Sequence, residues 1–137
     1  GDGLGFDLLR AFMKANNWAL NYFILSKEKN PVVTVRAGKL HIDCVQEISD
    51  KAVYLANYLD ESKLSTEGLA YLGNDLNDLA AMQMAGFSVA PRDAHAVILD
   101  QADLIFPQKG GDGFVRAFIE LLIGLHDMSA KEVAELL

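Results

Sequence analysis

Apolar runs too short to cross a membrane alternate along this chain with stretches of helical periodicity, and that alternation restricts it to a fold of repeated strand–helix units. Leu8, Leu9, Phe12 and Met13 share one helical face, which ends near Asn16-Asn17. Ala19 to Leu25 reads as a buried strand. Asn30-Pro31 is a helix start, an N-cap residue followed by proline at the first helical position. That helix runs to about Lys39, and Ile42 to Val45 forms the next strand. Ser49 or Asp50 caps a helix through about Leu59, with Val53, Leu55, Ala56 and Leu59 facing inward. Leu69 to Leu72 is a short strand leading into Gly73, and Leu76 to Ala85 is a helix that Gly86 closes as a C-cap. Phe87 to Ala90 is a strand, Ala94 to Gln101 a short helix and Leu104 to Phe106 the last strand. After a loop at Gly110-Gly111, Phe114 to Leu125 is a strongly apolar helix. Ser129 and Glu132 form a capping box that opens a terminal helix to Leu137.

The order α-β-α-β-α-β-α-β-α-β-α implies an α/β chain with a Rossmann-like, doubly wound parallel sheet. Its site is expected at the carboxyl ends of the strands. At 137 residues and 15.0 kDa, with 51% apolar and 23% charged residues, the chain has material for a single domain over 1–137. A fold of this kind that begins on a helix lacks the strand from which that helix should return. The sequence reading therefore expects the first strand to be missing.

Composition excludes several functions. A net charge of −7 and a pI near 4.8 argue against a general nucleic-acid surface, so an anionic substrate must be met locally, by a metal ion or a few basic side chains. Cys44, the only cysteine, permits neither a disulfide framework nor an all-cysteine metal site, and in Ile42 to Val45 it reads as a small core residue. No signal-peptide pattern and no apolar run near the ~20 residues of a membrane span are present, so a cytoplasmic location is expected. His41, His95 and His126 lack ligand spacing and read as structural or solvated.

Residues able to do chemistry follow three of the strands. Ser26 can hold a phosphoryl oxygen through its hydroxyl, or simply cap a loop. Lys51 stands at a helix start, where a cation is disfavoured unless an anion is present, although a solvated lysine is the plain alternative. Tyr71-Leu72-Gly73-Asn74-Asp75-Leu76-Asn77-Asp78 runs from strand into helix, with Gly73 allowing a sharp turn. Asn74, Asp75 and Asp78 gather hard oxygen ligands of the kind Mg²⁺ prefers. Helix capping by Asp75 or Asn77 would explain one of these residues but not the group. Lys109-Gly110-Gly111-Asp112-Gly113, with Arg116 one turn further, can present N–H groups to an anion, though Gly-Gly is first of all a turn.

Leu25-Ser26, Lys51 and Gly73 to Asp78 resemble motifs II, III and IV of the haloacid dehalogenase (HAD) superfamily. Gly1 to Gly5, Ile24 to Leu40, Ser88 to His95 and Gly110 to Arg116 narrow the resemblance to its small, cap-less sugar-acid phosphatases. That subfamily includes 3-deoxy-octulosonate 8-phosphate phosphatases, nononate 9-phosphate phosphatases and modules attached to some acylneuraminate cytidylyltransferases. The resemblance implies a Mg²⁺-dependent phosphomonoesterase in which an aspartate at the end of the first strand attacks phosphorus. By the same resemblance Ser26 and Lys51 bind the phosphoryl group. Asn74 is a metal ligand, Asp75 a direct or water-mediated one, and Asp78 a supporting carboxylate at the metal side. Glu28, Arg36 and Lys39 match positions tied to nine-carbon substrates, whereas octulosonate phosphatases tend to carry arginine at the position of Glu28. Homotetramers in which a neighbour helps close the site are also implied, with Phe114–Leu125 and Val133–Leu137 as candidate contacts.

Two departures stand out. Asn74 replaces the aspartate of many relatives, and no Asp-x-Asp-Gly follows an apolar strand anywhere in the 137 residues. The expectation is an HAD-like core lacking its first strand, through truncation or, less favoured, through loss of the catalytic strand. Such a chain would be inactive by itself. The alternatives are a non-catalytic oligomerisation module of an acylneuraminate cytidylyltransferase, and an unrelated Rossmann-like or receiver-like domain, which no motif supports.

Overall fold

A computed structural model describes residues 2–25 and 43–137. Helix α1 (Asp2–Asn16) ends where Asn17 turns left-handed at φ 54°, a common helix stop. Strand β1 (Phe23–Leu25) pairs in parallel with β2 (Asp43–Val45), with Ile24 opposite Cys44. Helix α2 (Lys51–Glu61) is capped by Asp50, whose side chain accepts the Val53 N–H. Strand β3 (Ala70–Leu72) leads through a 3₁₀ turn (Leu76–Asp78) into α3 (Leu79–Met84). Then come β4 (Phe87–Pro91), α4 (Ala96–Gln101), β5 (Leu104–Phe106), α5 (Phe114–Leu122) and α6 (Ala130–Leu136). The capping box expected at Ser129 and Glu132 opens α6.

All described strand pairs are parallel, and the expected α/β class holds. The strands fall into two pieces, β1-β2 and β3-β4-β5. Phe23 and Leu25 of β1 pack on the same apolar cluster as Tyr71 of β3, together with Leu55, Met82, Ala90 and Ile98. The break thus lies between β1 and β3, each of which has one neighbouring strand among the described residues.

Strand alternation puts helices on both faces. Tyr71 and Ala90 face the cluster under α2, α3 and α4. Phe106 pairs with Pro91 on the other face and meets Phe114 and Phe118 of α5, at centroid distances of 6.1 and 6.5 Å. Leu8 and Leu9 of α1 pack with Ile119 and Ile123 in a second cluster beside α5. A Cβ on Gly5 would stand 3.0 Å from the Arg116 Cα, so this helix pair approaches at a position only glycine fills without a shift.

Several sequence expectations need correction. Val53 (55% exposed) and Ala56 face solvent, because Tyr54 and Tyr58 pack on Phe23 and turn the buried stripe to Leu55 and Leu59. The run from Ala19 narrows to Phe23–Leu25, the part that finds a partner strand. Helix α3 is shorter than expected, since Leu76–Asp78 is a 3₁₀ turn, and Gly86 is not its C-cap. A Cβ on Gly86 would lie 2.7 Å from the carbonyl oxygens of both Thr66 and Glu67, so close backbone approach is what demands glycine there. Cys44 is half-buried rather than a core residue. The helix expected from Asn30-Pro31 to Lys39 falls outside the described residues.

Candidate active site

The site forms where β3 ends. Gly73 continues the ladder with its N–H bound to the Val89 carbonyl at 3.1 Å. A Cβ at Gly73 would come within 2.7 Å of Asp78 Cβ and 2.8 Å of Met82 Sδ, so its role is to let the next turn fold back onto the strand. Asn74 and Asp75 are exposed at the mouth of this turn, whereas Asp78 is buried beneath them, 5% exposed.

Asp78 is the hub. Its Oδ2 accepts the N–H groups of Asn74 and Asp75 at 3.0 and 3.2 Å. Its Oδ1 accepts from the Tyr71 hydroxyl at 2.6 Å and from Lys51 Nζ at 2.8 Å. Burial alone would raise the carboxyl pKa, but the hydrogen bonds from Lys51, Tyr71 and the two backbone amides outweigh it and hold Asp78 ionised below the ordinary carboxylate range. Burial, with the hydrogen bond to Asp78, pushes the Tyr71 phenol in the opposite direction, far above its usual value, so it remains a donor.

Lys51 is the first residue of α2, and the anion that offsets its unfavourable helix position is Asp78. Its ammonium also lies 3.4 Å from Asn77 Oδ1. An ammonium has three donors, of which Asp78 and Asn77 take two, so Lys51 is held in place with one to spare.

Asp75 does cap the following turn, its Oδ1 accepting the Leu76 N–H at 2.8 Å. Its side chain also accepts the Asp78 N–H in a reciprocal capping box, while the residue as a whole stays exposed at the mouth. Asn74 and Asp75 together offer two hard oxygens at the carboxyl end of a strand. Such a donor set suits a Mg²⁺ ion that keeps most of its water and takes further oxygens from a phosphate. Among the described residues, no group of three or more His, Cys, Asp or Glu is placed to hold a metal ion unaided. With its oxygens engaged by four donors, Asp78 fits the supporting part of the metal side rather than direct ligation.

Lys51, Asn74, Asp75 and Asp78 therefore converge. Ser26, Glu28, Arg36 and Lys39 lie outside the described residues. The Gly-rich loop approaches the same strand ends, with Gly111 and Gly113 at φ 89° and 85°, so a left-handed backbone is what these glycines supply. Arg116 pairs with Glu120 at 3.6 Å. His95 caps α4, its Nδ1 accepting the Val97 N–H, and its own N–H bonds the Asn74 carbonyl at 2.9 Å. Tyr71 was the side chain of this cluster that sequence reasoning passed over; its only signal was an aromatic hydroxyl on an otherwise apolar strand two residues before Gly73.

A lysine, a buried aspartate and exposed side-chain oxygens thus meet at the carboxyl ends of parallel strands. A family model for haloacid dehalogenase-like hydrolases matches residues 12–118, and the chain belongs to that family. It is 31% identical over 124 residues to the 3-deoxy-D-manno-octulosonate 8-phosphate phosphatase KdsC of Salmonella typhi, covering 84% of this chain and 66% of that protein. The chain thus spans just under two thirds of the length of such curated relatives. It resembles the crystal structure of the 3-deoxy-D-manno-octulosonate 8-phosphate phosphatase of Moraxella catarrhalis in complex with magnesium, phosphate and KDO. There the TM-score is 0.79 and the identity 28%, over 90% of this chain and 68% of that one. The cobalt-bound enzyme of Haemophilus influenzae matches at a TM-score of 0.76 and 25% identity, over 90% of this chain and 69% of that one. Among the described residues no helix is long and apolar enough to cross a membrane.

Proposed function

We propose that this chain, as a single domain, carries the phosphate- and metal-binding side of a Mg²⁺-dependent phosphomonoesterase acting on a sugar-acid phosphate. The observation that carries the reading is the Asp78 hub, which fixes Lys51 beside the exposed Asn74–Asp75 turn. Asn74 and Asp75 would hold the metal, which when bound neutralises charge developing on the phosphoryl oxygens. Lys51 binds a phosphoryl oxygen with its remaining donor and orients the attacking carboxylate. Asp78 keeps Lys51 aimed, and Tyr71 keeps Asp78 in place. Ser26 contributes a hydroxyl to the same phosphoryl group. Relatives named for 3-deoxy-D-manno-octulosonate 8-phosphate favour an eight-carbon substrate, while Glu28, Arg36 and Lys39 favour a nine-carbon acylneuraminate-type one.

No Asp-x-Asp-Gly follows an apolar strand in these 137 residues, so the nucleophile of the reaction is not among them. The break between β1 and β3 supports this reading, because a parallel strand inserted there would end beside Lys51 and Asn74. The test is phosphate release from 3-deoxy-D-manno-octulosonate 8-phosphate and from a nononate 9-phosphate with Mg²⁺. The 137-residue chain should give none above background. Turnover that disappears with Asn74→Ala or Lys51→Ala would overturn the claim that the nucleophile lies elsewhere.

Exposed Leu121 and Leu122 on α5 and Leu137 at the terminus support self-association, with a tetramer as the proposed state. They suit the reading as a cytidylyltransferase oligomerisation module equally well. A chain that assembles yet binds neither Mg²⁺ nor phosphate would favour that second reading.

A further inference from the structure

The backbone of Asn74 is tied on both sides, and one tie comes from a residue that the proposed chemistry does not use. The Asn74 N–H donates to Asp78 Oδ2 at 3.0 Å, and the Asn74 carbonyl accepts the His95 N–H at 2.9 Å. The neighbouring amides are engaged as well, the Gly73 N–H on the Val89 carbonyl at 3.1 Å and the Asp75 N–H on Asp78 Oδ2 at 3.2 Å. The part of Asn74 left to meet a ligand is therefore its exposed side chain.

His95 can hold that carbonyl because its own place is fixed. Its Nδ1 accepts the Val97 N–H at 3.1 Å and so caps α4, and its carbonyl accepts the Leu99 N–H at 3.0 Å. Ala94 and Ile98 are buried in the cluster that holds Tyr71, and the Ala94 N–H bonds the Pro91 carbonyl at 3.1 Å. Asp93 ties the same turn to the loop after β5, its Oδ1 accepting the Gly110 N–H at 2.8 Å. His95 itself is exposed, so its side chain adds little to the core and the cap is its contribution. A six-residue helix has little stability of its own. Loss of its cap frays the first turn, where the N–H on the Asn74 carbonyl sits.

We propose that His95 is a positioning residue for the metal turn. By capping α4 it holds the N–H that fixes the Asn74 carbonyl, and so keeps the Asn74 side chain in the orientation in which it ligates a divalent cation. This rests on the metal reading of Asn74 above and adds to it a residue that touches neither metal nor phosphate.

The test uses the full 137-residue chain, with Mg²⁺ as the probe. Two properties are read, amide exchange and the Mg²⁺ dissociation constant from shifts at the Asn74 and Asp75 amides. His95→Ala should speed exchange at the amides of positions 95 and 97 by about fivefold, the equivalent of one lost cap, and weaken Mg²⁺ binding by about threefold to fivefold. His95→Asn supplies another capping side chain and should restore both. A cap that served stability alone would lower the urea midpoint and speed exchange at Val97, yet leave the amide at 95 and the Mg²⁺ constant of the folded chain unchanged. That result would overturn the proposal, as would failure of His95→Asn to restore Mg²⁺ binding. If the unaltered chain binds no Mg²⁺, the metal reading of Asn74 falls and the proposal with it. That outcome is distinct from one in which the unaltered chain and His95→Ala bind Mg²⁺ equally, which sinks the role of His95 alone.

Discussion

Replacing Asp78 by asparagine removes one charge and almost no volume, so its effect isolates the hub from packing. The side chains of Lys51 and Asp78 are only 10% and 6% exposed, and Asp78 accepts from four donors. An asparagine can accept on one side only. Its amide then faces either the Asn74 and Asp75 N–H groups or the Tyr71 and Lys51 donors, and Lys51 becomes a buried cation without a counter-charge. Breaking a buried pair from one side costs ~3–5 kcal/mol, a large part of the ~5–15 kcal/mol that holds a domain of this size. Lys51→Met removes one charged donor but leaves Asp78 its other three, and should cost ~1.5–3 kcal/mol. Urea unfolding followed by circular dichroism would measure both, with the slope against urea unchanged if the folded state is preserved. In the double variant the losses should fall short of their sum by more than ~1 kcal/mol, because each single change already breaks the one pair that both residues share. An Asp78→Asn loss below ~1 kcal/mol, or simple additivity, would refute the hub.

Because the Asp78 pKa is lowered on folding, its contribution is fully present above the ordinary carboxylate range and is lost as pH falls through the depressed value. Stability should therefore drop below about pH 4, and the drop should be shallower in Asp78→Asn, as acid titration of the unfolding midpoint would show. Gly86→Ala places a methyl 2.7 Å from two carbonyl oxygens and should cost ~1–3 kcal/mol, whereas Gly68→Ala, with nothing within 4 Å, should change stability by less than about 0.5 kcal/mol in thermal melts.

The residues at strand ends were legible because spacing alone puts them there. Lys51 opens α2 and Asn74 to Asp78 turn out of β3, and in a parallel sheet those positions must meet. The division of labour among them came only from the family resemblance, which made Asp75 a ligand and Asp78 a supporting carboxylate, and not from the residues themselves. Asp75 and Asp78 look alike in sequence, and only the fold shows one carboxylate exposed at the mouth and the other buried under four donors. Tyr71 and Asp93 were invisible for the same reason, since their partners lie seven and seventeen residues away across a strand end. Helix faces erred where aromatic packing overrode periodicity, as at Val53 and Ala56. Gly86 was misread because a glycine after a helix signals a cap, while close approach to Thr66 and Glu67 leaves no trace in local sequence.

The claim that the end of β3 is the metal side of a phosphatase is tested most directly by Mg²⁺ titration of the chain, observed at the backbone amides of Gly73, Asn74 and Asp75. Saturable shifts at those amides that vanish in Asn74→Ala, while the Asp93 loop and the rest of the fold stay unchanged, are what the account predicts. Absence of any shift in millimolar Mg²⁺, or a shift that Asn74→Ala leaves intact, would contradict it.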